Sequence, residues 1–100
     1  MDEESPVAER WIVRGRVQGV SYRWFAREAA RPLELAGSVR NLADGTVEVK
    51  VLGPRHLVDR LRHRLWQGPP MSRVDAIDSE TLEPSESENL RRAGTFEIAY

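Results

Sequence analysis

The residues with the most chemical content lie together, in the run Gly15-Arg16-Val17-Gln18-Gly19-Val20-Ser21-Tyr22-Arg23. Glycines at 15 and 19 allow the backbone to turn its N–H groups inward, a helix opening at Tyr22 adds partial positive charge, and Arg23 brings a planar fork for two oxygens of one anion. The chemistry suited to that set is binding of a phosphate-sized anion. A tight connection between a strand and a helix has the same glycine pattern, so the residues by themselves leave both readings open. The run is not a nucleotide-binding P-loop, because the Lys-Ser/Thr pair is missing.

Other residue types offer less. His56 and His63 share a helical face but stand about 10.5 Å apart along its axis, too far to hold one zinc ion. Trp11, Trp24 and Trp66 could stack on nucleic-acid bases only from a common sheet platform; Trp11 has the spacing of a core residue, and the others fall on or beside helices. Asp75 and Asp78 sit in an acidic strand-loop stretch and read as solvated charges rather than metal ligands. The chain has no cysteine, which removes disulfides, thiolate metal sites and cysteine nucleophiles together.

The elements that must position the Gly15–Arg23 run follow from hydrophobic spacing. Trp11, Ile12 and Val13 form a short apolar strand with its odd positions toward a core. Tyr22, Phe25, Ala26, Ala29, Ala30 and Leu33 make one continuous helical face, with Ser21 available as its cap and Pro32 limiting it to about Arg31. Gly37 to Leu42 and Thr46 to Leu52 read as hairpin arms around Ala43-Asp44-Gly45, whose Asp-Gly pair suits positive φ angles. Val47, Val49 and Val51 alternate with Glu48 and Lys50, which predicts one buried and one wet face. Leu57, Val58, Leu61 and Leu65 mark a second helix that begins at Gly53-Pro54 and stops at Gly68-Pro69-Pro70. A fourth strand is expected from Ser72 or Arg73 to about Glu80, then a polar loop from Pro84 to Gly94. A last strand, Thr95 to Tyr100, would put Phe96, Ile98 and Tyr100 on one face. The order β-α-β-β-α-β with an extra C-terminal strand predicts a ferredoxin-like α+β sandwich, two helices on one face of an antiparallel sheet. Many activities use that fold, so it selects none of them.

One hundred residues supply a single core, with residues 1–8 read as a mobile N-terminal tail and residues 9–100 as the domain. Fifteen basic against sixteen acidic residues give a net charge of −1 and a pI near 6.1, unlike a dedicated nucleic-acid binder, whose pI exceeds about 9. The start, MDEESPVAER, lacks the basic-then-apolar order of a secretory signal, and no run of about 18 apolar residues occurs. The expectation is a cytoplasmic protein with no membrane and no nucleic-acid partner. Charge is uneven along the chain: seven arginines from Arg10 to Arg40 meet only Glu28 and Glu34, whereas Asp75 to Glu88 holds six acids and no base. Solvated faces account for most of this, and the arginine-rich segment remains suited to an anion.

The run GRVQGVSYR at 15–23, together with Gly37-Ser38-Val39-Arg40-Asn41 and Asp44-Gly45-Thr46-Val47, resembles the two motifs of the acylphosphatase family, and the likeness extends from about Trp11 to Tyr100. The resemblance implies a ferredoxin-like fold and hydrolysis of a carboxyl–phosphate anhydride by a monomer. It implies no metal and no other cofactor, and a small-molecule acyl phosphate as the partner. It further implies that backbone N–H groups of Arg16, Val17, Gln18, Gly19 and Val20 and the Arg23 guanidinium bind the phosphoryl group, while the Asn41 side chain orients the attacking water. A catalytically silent phosphate-binding protein, or an RNA-binding module on the same fold, is the alternative. Two positions depart from the family pattern. Ser38 stands where an aromatic residue is usual, a change expected to touch the open sheet surface or substrate contacts more than the core. Tyr22 replaces the commoner phenylalanine and keeps the aromatic anchor.

Overall fold

The computed structural model describes residues 5–100. Its elements are β1 (Pro6–Arg16), α1 (Tyr22–Ala30), β2 (Ala36–Asn41), β3 (Val47–Pro54), α2 (Arg55–Gln67), β4 (Arg73–Thr81), α3 (Pro84–Ala93) and β5 (Phe96–Ile98), with a 3-10 turn at Arg31–Leu33. The strands lie in the order β4-β1-β3-β2-β5. Neighbours are antiparallel except β2 and β5, which run parallel. The sheet is therefore mixed: the expected antiparallel arrangement holds for the first four strands. β5 joins the outer edge of β2 in the same direction, an orientation that a long connection permits and a tight hairpin does not.

Alternation along the strands decides what lies inside. Trp11 and Val13 of β1, Val39 of β2 and Val47, Val49 and Val51 of β3 are buried in one core with Ala26 and Ala30 of α1 and Val58, Leu61 and Leu65 of α2. Each large side chain so enclosed contributes about 1.5–3 kcal/mol. Tyr22 belongs to this core and also carries a polar handle: its hydroxyl donates to the Leu65 carbonyl at 2.6 Å. In a helix that carbonyl would be met by the N–H four residues on, and Pro69 has none. The hydroxyl thus satisfies the acceptor that the Gly68-Pro69-Pro70 stop orphans, and burial pushes its pKa up.

Several expectations are corrected. Residues 6–8 are not tail: β1 starts at Pro6, and Pro6, Val7 and Ala8 pair with Pro54, Gly53 and Leu52. The Ala8 carbonyl also accepts from the Leu82 N–H at 3.0 Å, so strand pairing carries the sheet outward past the apolar run. Residues 1–4 of the expected tail lie outside the described residues. The stretch expected to be a loop from Pro84 to Gly94 is helix α3, with Pro84 in its first turn, Glu86 near its N-terminus, Arg91 and Arg92 in its last turn, and Gly94 left-handed beyond its end. Each of those suits a helix terminus.

The expected wet face of β3 is also covered. Glu48 is only 3% exposed, because Arg10 from β1 and Arg40 from β2 donate to its two oxygens at 2.6 and 2.8 Å. Lys50 on the same face reaches Glu86 of α3 at 2.7 Å. Finally, Gly45 alone supplies the positive φ in the β2–β3 turn, and Asp44 does not. The Gly45 N–H bonds the Leu42 carbonyl and the Leu42 N–H bonds the Thr46 carbonyl, a three-residue loop ending in a left-handed glycine.

Candidate active site

A bulge ends β1 and aims the chain into the glycine-bounded loop. Arg14 pairs with Ala76 but Gly15 pairs with Val74, so Asp75 is left as the extra residue. Gly15 has φ +130°, and a Cβ there would run into the Arg73 carbonyl, so the close approach of the two strands requires glycine. Gly19, at φ +75°, needs its freedom for the turn itself. Ser21 is left-handed too, at φ 64°, and the side-chain cap expected of it is not made, because a capping serine needs extended backbone. The amides here stay open. Among the described residues no backbone carbonyl accepts from the N–H groups of Val17, Gln18, Gly19 or Val20. The first turn of α1 has neither a side-chain cap nor an acid.

Three side chains fix the loop from behind. Val17 is buried, Val20 packs against the core edge, and Gln18 donates from Nε2 to the carbonyls of Leu42 and Thr46, at 2.8 Å each. In front of the loop lies a hollow of about 470 Å³ whose walls include Val17, Gly19, Ser21, Arg23, Asn41 and Tyr100. The structure therefore brings Val17, Gly19, Arg23 and Asn41 to one cavity. Arg16, exposed at the end of β1, and Gln18 and Val20 are not among its walls. Asn41 reaches the hollow because it is the last residue of β2, opposite Val47, just before the chain turns. That turn is stiffened by Asp44, whose Oδ1 accepts from the Thr46 hydroxyl at 2.6 Å and the Thr46 N–H at 3.0 Å. These bonds hold the Asp44 carboxyl below its usual pKa.

Charge is distributed unequally among the seven arginines of the basic segment. Arg10 and Arg40 hold Glu48, Arg14 pairs with Asp78 at 2.7 Å, Arg27 lies 3.5 Å from Glu28, and Arg31 reaches Glu97 at 3.1 Å. Among the described residues, Arg16 and Arg23 are the arginines of this segment with no carboxylate in ion-pair reach, and both flank the loop. The Arg23 guanidinium stands 4.9 Å from the centroid of the Tyr100 ring, a π face that holds a cation without neutralising it. Tyr100 was expected on a strand face with Phe96 and Ile98. The strand stops at Ile98 instead, and Tyr100 is 95% exposed with the Arg23 guanidinium over its ring. Burial draws the Glu48 pKa upward, but the hydrogen bonds and charges of Arg10 and Arg40 outweigh it and leave the carboxyl below its ordinary value.

The remaining sequence candidates stand apart. His63 borders a separate hollow of about 560 Å³ between α1 and α2 that contains none of the motif residues. Asp75 pairs with Arg73 and Asp78 with Arg14. Among the described residues no group of three or more His, Cys, Asp or Glu side chains is placed to hold a metal ion. No helix among them is long and apolar enough to cross a membrane.

The sequence profile of the acylphosphatase family matches residues 9–98 of this chain. The chain belongs to the acylphosphatase family. An acylphosphatase of Koribacter versatilis is 46% identical over 94 residues, which cover 93% of this chain and 86% of the relative. The crystal structure of acylphosphatase from Bacillus subtilis has a TM-score of 0.81 at 34% identity, covering 94% of this chain and 99% of its own. An acylphosphatase structure from Coxiella burnetii gives 0.81 at 31% identity, covering 94% of this chain and 93% of its own. As an acylphosphatase the chain is a hydrolase of the carboxyl–phosphate bond of acyl phosphates, and residues of its two sequence motifs converge on the one hollow.

Proposed function

We propose that this acylphosphatase works at that hollow as a cytoplasmic, metal-independent monomer, with the loop and Arg23 holding the phosphoryl group and Asn41 holding the water. The N–H groups from Arg16 to Val20 and the Arg23 guanidinium take the phosphoryl oxygens, and the open amides of Val17 to Val20 with an unneutralised fork suit a charge-rich transition state. The Asn41 side chain orients a water in line with the bond that breaks. The water oxygen bonds to phosphorus, the bridging oxygen leaves with its electron pair as carboxylate, and the water proton passes to a phosphoryl oxygen. The products are carboxylate and inorganic phosphate. A carboxylate leaving group has a pKa of about 4, so it departs without protonation and the reaction needs no general acid. Phosphoryl transfer of this kind asks the protein for position and charge rather than covalent chemistry. A chain without cysteine suits a reducing compartment.

The observation that carries the reading is the meeting of Arg23 and Asn41 at one cavity beside a loop of open amides. The test is hydrolysis of benzoyl phosphate in EDTA by the wild type, Arg23→Gln and Asn41→Ala, after circular dichroism has shown all three folded. The expected result is turnover by the wild type and a loss in kcat/KM of at least about 100-fold in each variant, roughly 2.7 kcal/mol of transition-state stabilisation. Asn41→Ala is expected to act on kcat, and Arg23→Gln also on inhibition by inorganic phosphate. A wild-type rate no faster than spontaneous hydrolysis would return the chain to the silent phosphate-binding alternative.

A further inference from the structure

The Gln18 side chain is not among the walls of the hollow and reaches the β2–β3 turn. Its Nε2 donates to two carbonyls that bracket that turn, Leu42 and Thr46, both at 2.8 Å. The amide orientation is fixed by chemistry: turned over, Oε1 would oppose two carbonyl oxygens, while the NH2 group has two protons for two acceptors. Leu42 follows Asn41 directly, and its own N–H closes the turn on the Thr46 carbonyl at 2.9 Å. Two covalently distant pieces of the site, the phosphate loop and the strand end that carries Asn41, are thus joined by one side chain 24 and 28 residues away from its partners.

We propose that Gln18 is a positioning residue for the reaction, a brace that keeps Asn41 and its water in register with a phosphoryl group seated on the loop. The inference rests on the mechanism given above for Arg23 and Asn41. The brace is separable from folding. The Leu42 carbonyl also accepts from the Gly45 N–H and the Thr46 carbonyl from the Leu42 N–H, so neither is orphaned when Gln18 is replaced by an apolar residue of similar size. Phosphate recognition is separable as well, because the residue-18 N–H survives any such replacement and Val17 and Val20 still pack the loop against the core.

The experiment is a double-mutant cycle on the full chain, with Gln18→Leu, Asn41→Ala and the pair, read as kcat, KM for benzoyl phosphate and inhibition by inorganic phosphate. Gln18→Leu is expected to lower kcat about tenfold or more, as displacement by a fraction of an ångström does, with KM and phosphate inhibition moved less than about threefold. In the Asn41→Ala background the same substitution is expected to have little further effect, since its route to the reaction is already gone. Gln18→Glu, which sets a carboxylate against both carbonyls, is expected to lose as much kcat as Gln18→Leu or more. Unchanged kcat in folded Gln18→Leu, or full additivity with Asn41→Ala, overturns the brace while leaving the Asn41 mechanism standing. Unimpaired turnover by Asn41→Ala alone overturns the mechanism and the brace with it. If Gln18→Leu does not fold, Gln18→Glu and Gln18→Asn carry the same cycle.

Discussion

Arginine has opposite roles at different positions of this chain. At Arg16 and Arg23 it has, among the described residues, no carboxylate in reach beside a loop of open amides, whereas at Arg10 and Arg40 it encloses an acid that would otherwise not tolerate burial. Glu48 therefore belongs to stability rather than chemistry. Its carboxyl titrates below the ordinary value of 4.5, so the stability it contributes is fully present above that pH and is lost as the pH falls through its lowered folded value. Glu48→Gln is expected to reduce stability near neutrality by about 1–3 kcal/mol, because Arg10 and Arg40 keep part of their exposure and can turn to water. The same variant is expected to lose less further stability on acidification than the wild type. Urea midpoints across the acid range check both signs.

Among the elements, the join between α1 and α2 is the one whose character the residue types conceal. Tyr22 reads as an aromatic anchor, and it is one, but its hydroxyl serves the Leu65 carbonyl that Pro69 cannot. Tyr22→Phe is expected to cost about 1–2 kcal/mol in thermal or urea unfolding and to leave kcat unchanged, since it leaves an acceptor buried without a donor. Helix α3 failed to show itself for a different reason. Only Leu90 supplies an apolar residue between Ser85 and Arg92, so no 3.6-residue stripe exists to find. The terminal signals were nevertheless present, in Pro84 at the start and Gly94 past the end. At the N-terminal end, Val7 and Ala8 offered too little alternation to be read as strand, and pairing with β3 recruited them.

Across the whole molecule, the basic and acidic stretches of sequence meet over the sheet: Arg10 pairs with Glu80 and Arg14 with Asp78 between β1 and β4. With those arginines paired, Arg16 and Arg23 remain beside the loop as the arginines of the basic segment that no described carboxylate pairs. Inhibition by inorganic phosphate is therefore expected to weaken as ionic strength rises, because screening acts on the partly exposed Arg23 and Arg16, while unfolding midpoints change far less. Titrating phosphate inhibition at low and high salt measures this.

Local features were legible in the residues alone: the helices α1 and α2, though the second begins at Arg55 rather than at Gly53-Pro54, the hairpin around Asp44-Gly45, the valine face of β3 and the motif run from Gly15 to Arg23. Each rests on spacing within a few residues, where periodicity and turn chemistry act directly. Folding in three dimensions was needed to show that β5 pairs parallel to β2, that Glu48 is buried between two arginines, that Gln18 ties the loop to the Asn41 turn, and that the Tyr100 ring meets Arg23. These depend on residues far apart in the chain, and which of many possible partners a polar or aromatic side chain meets is set by strand order and register, not by its neighbours in sequence.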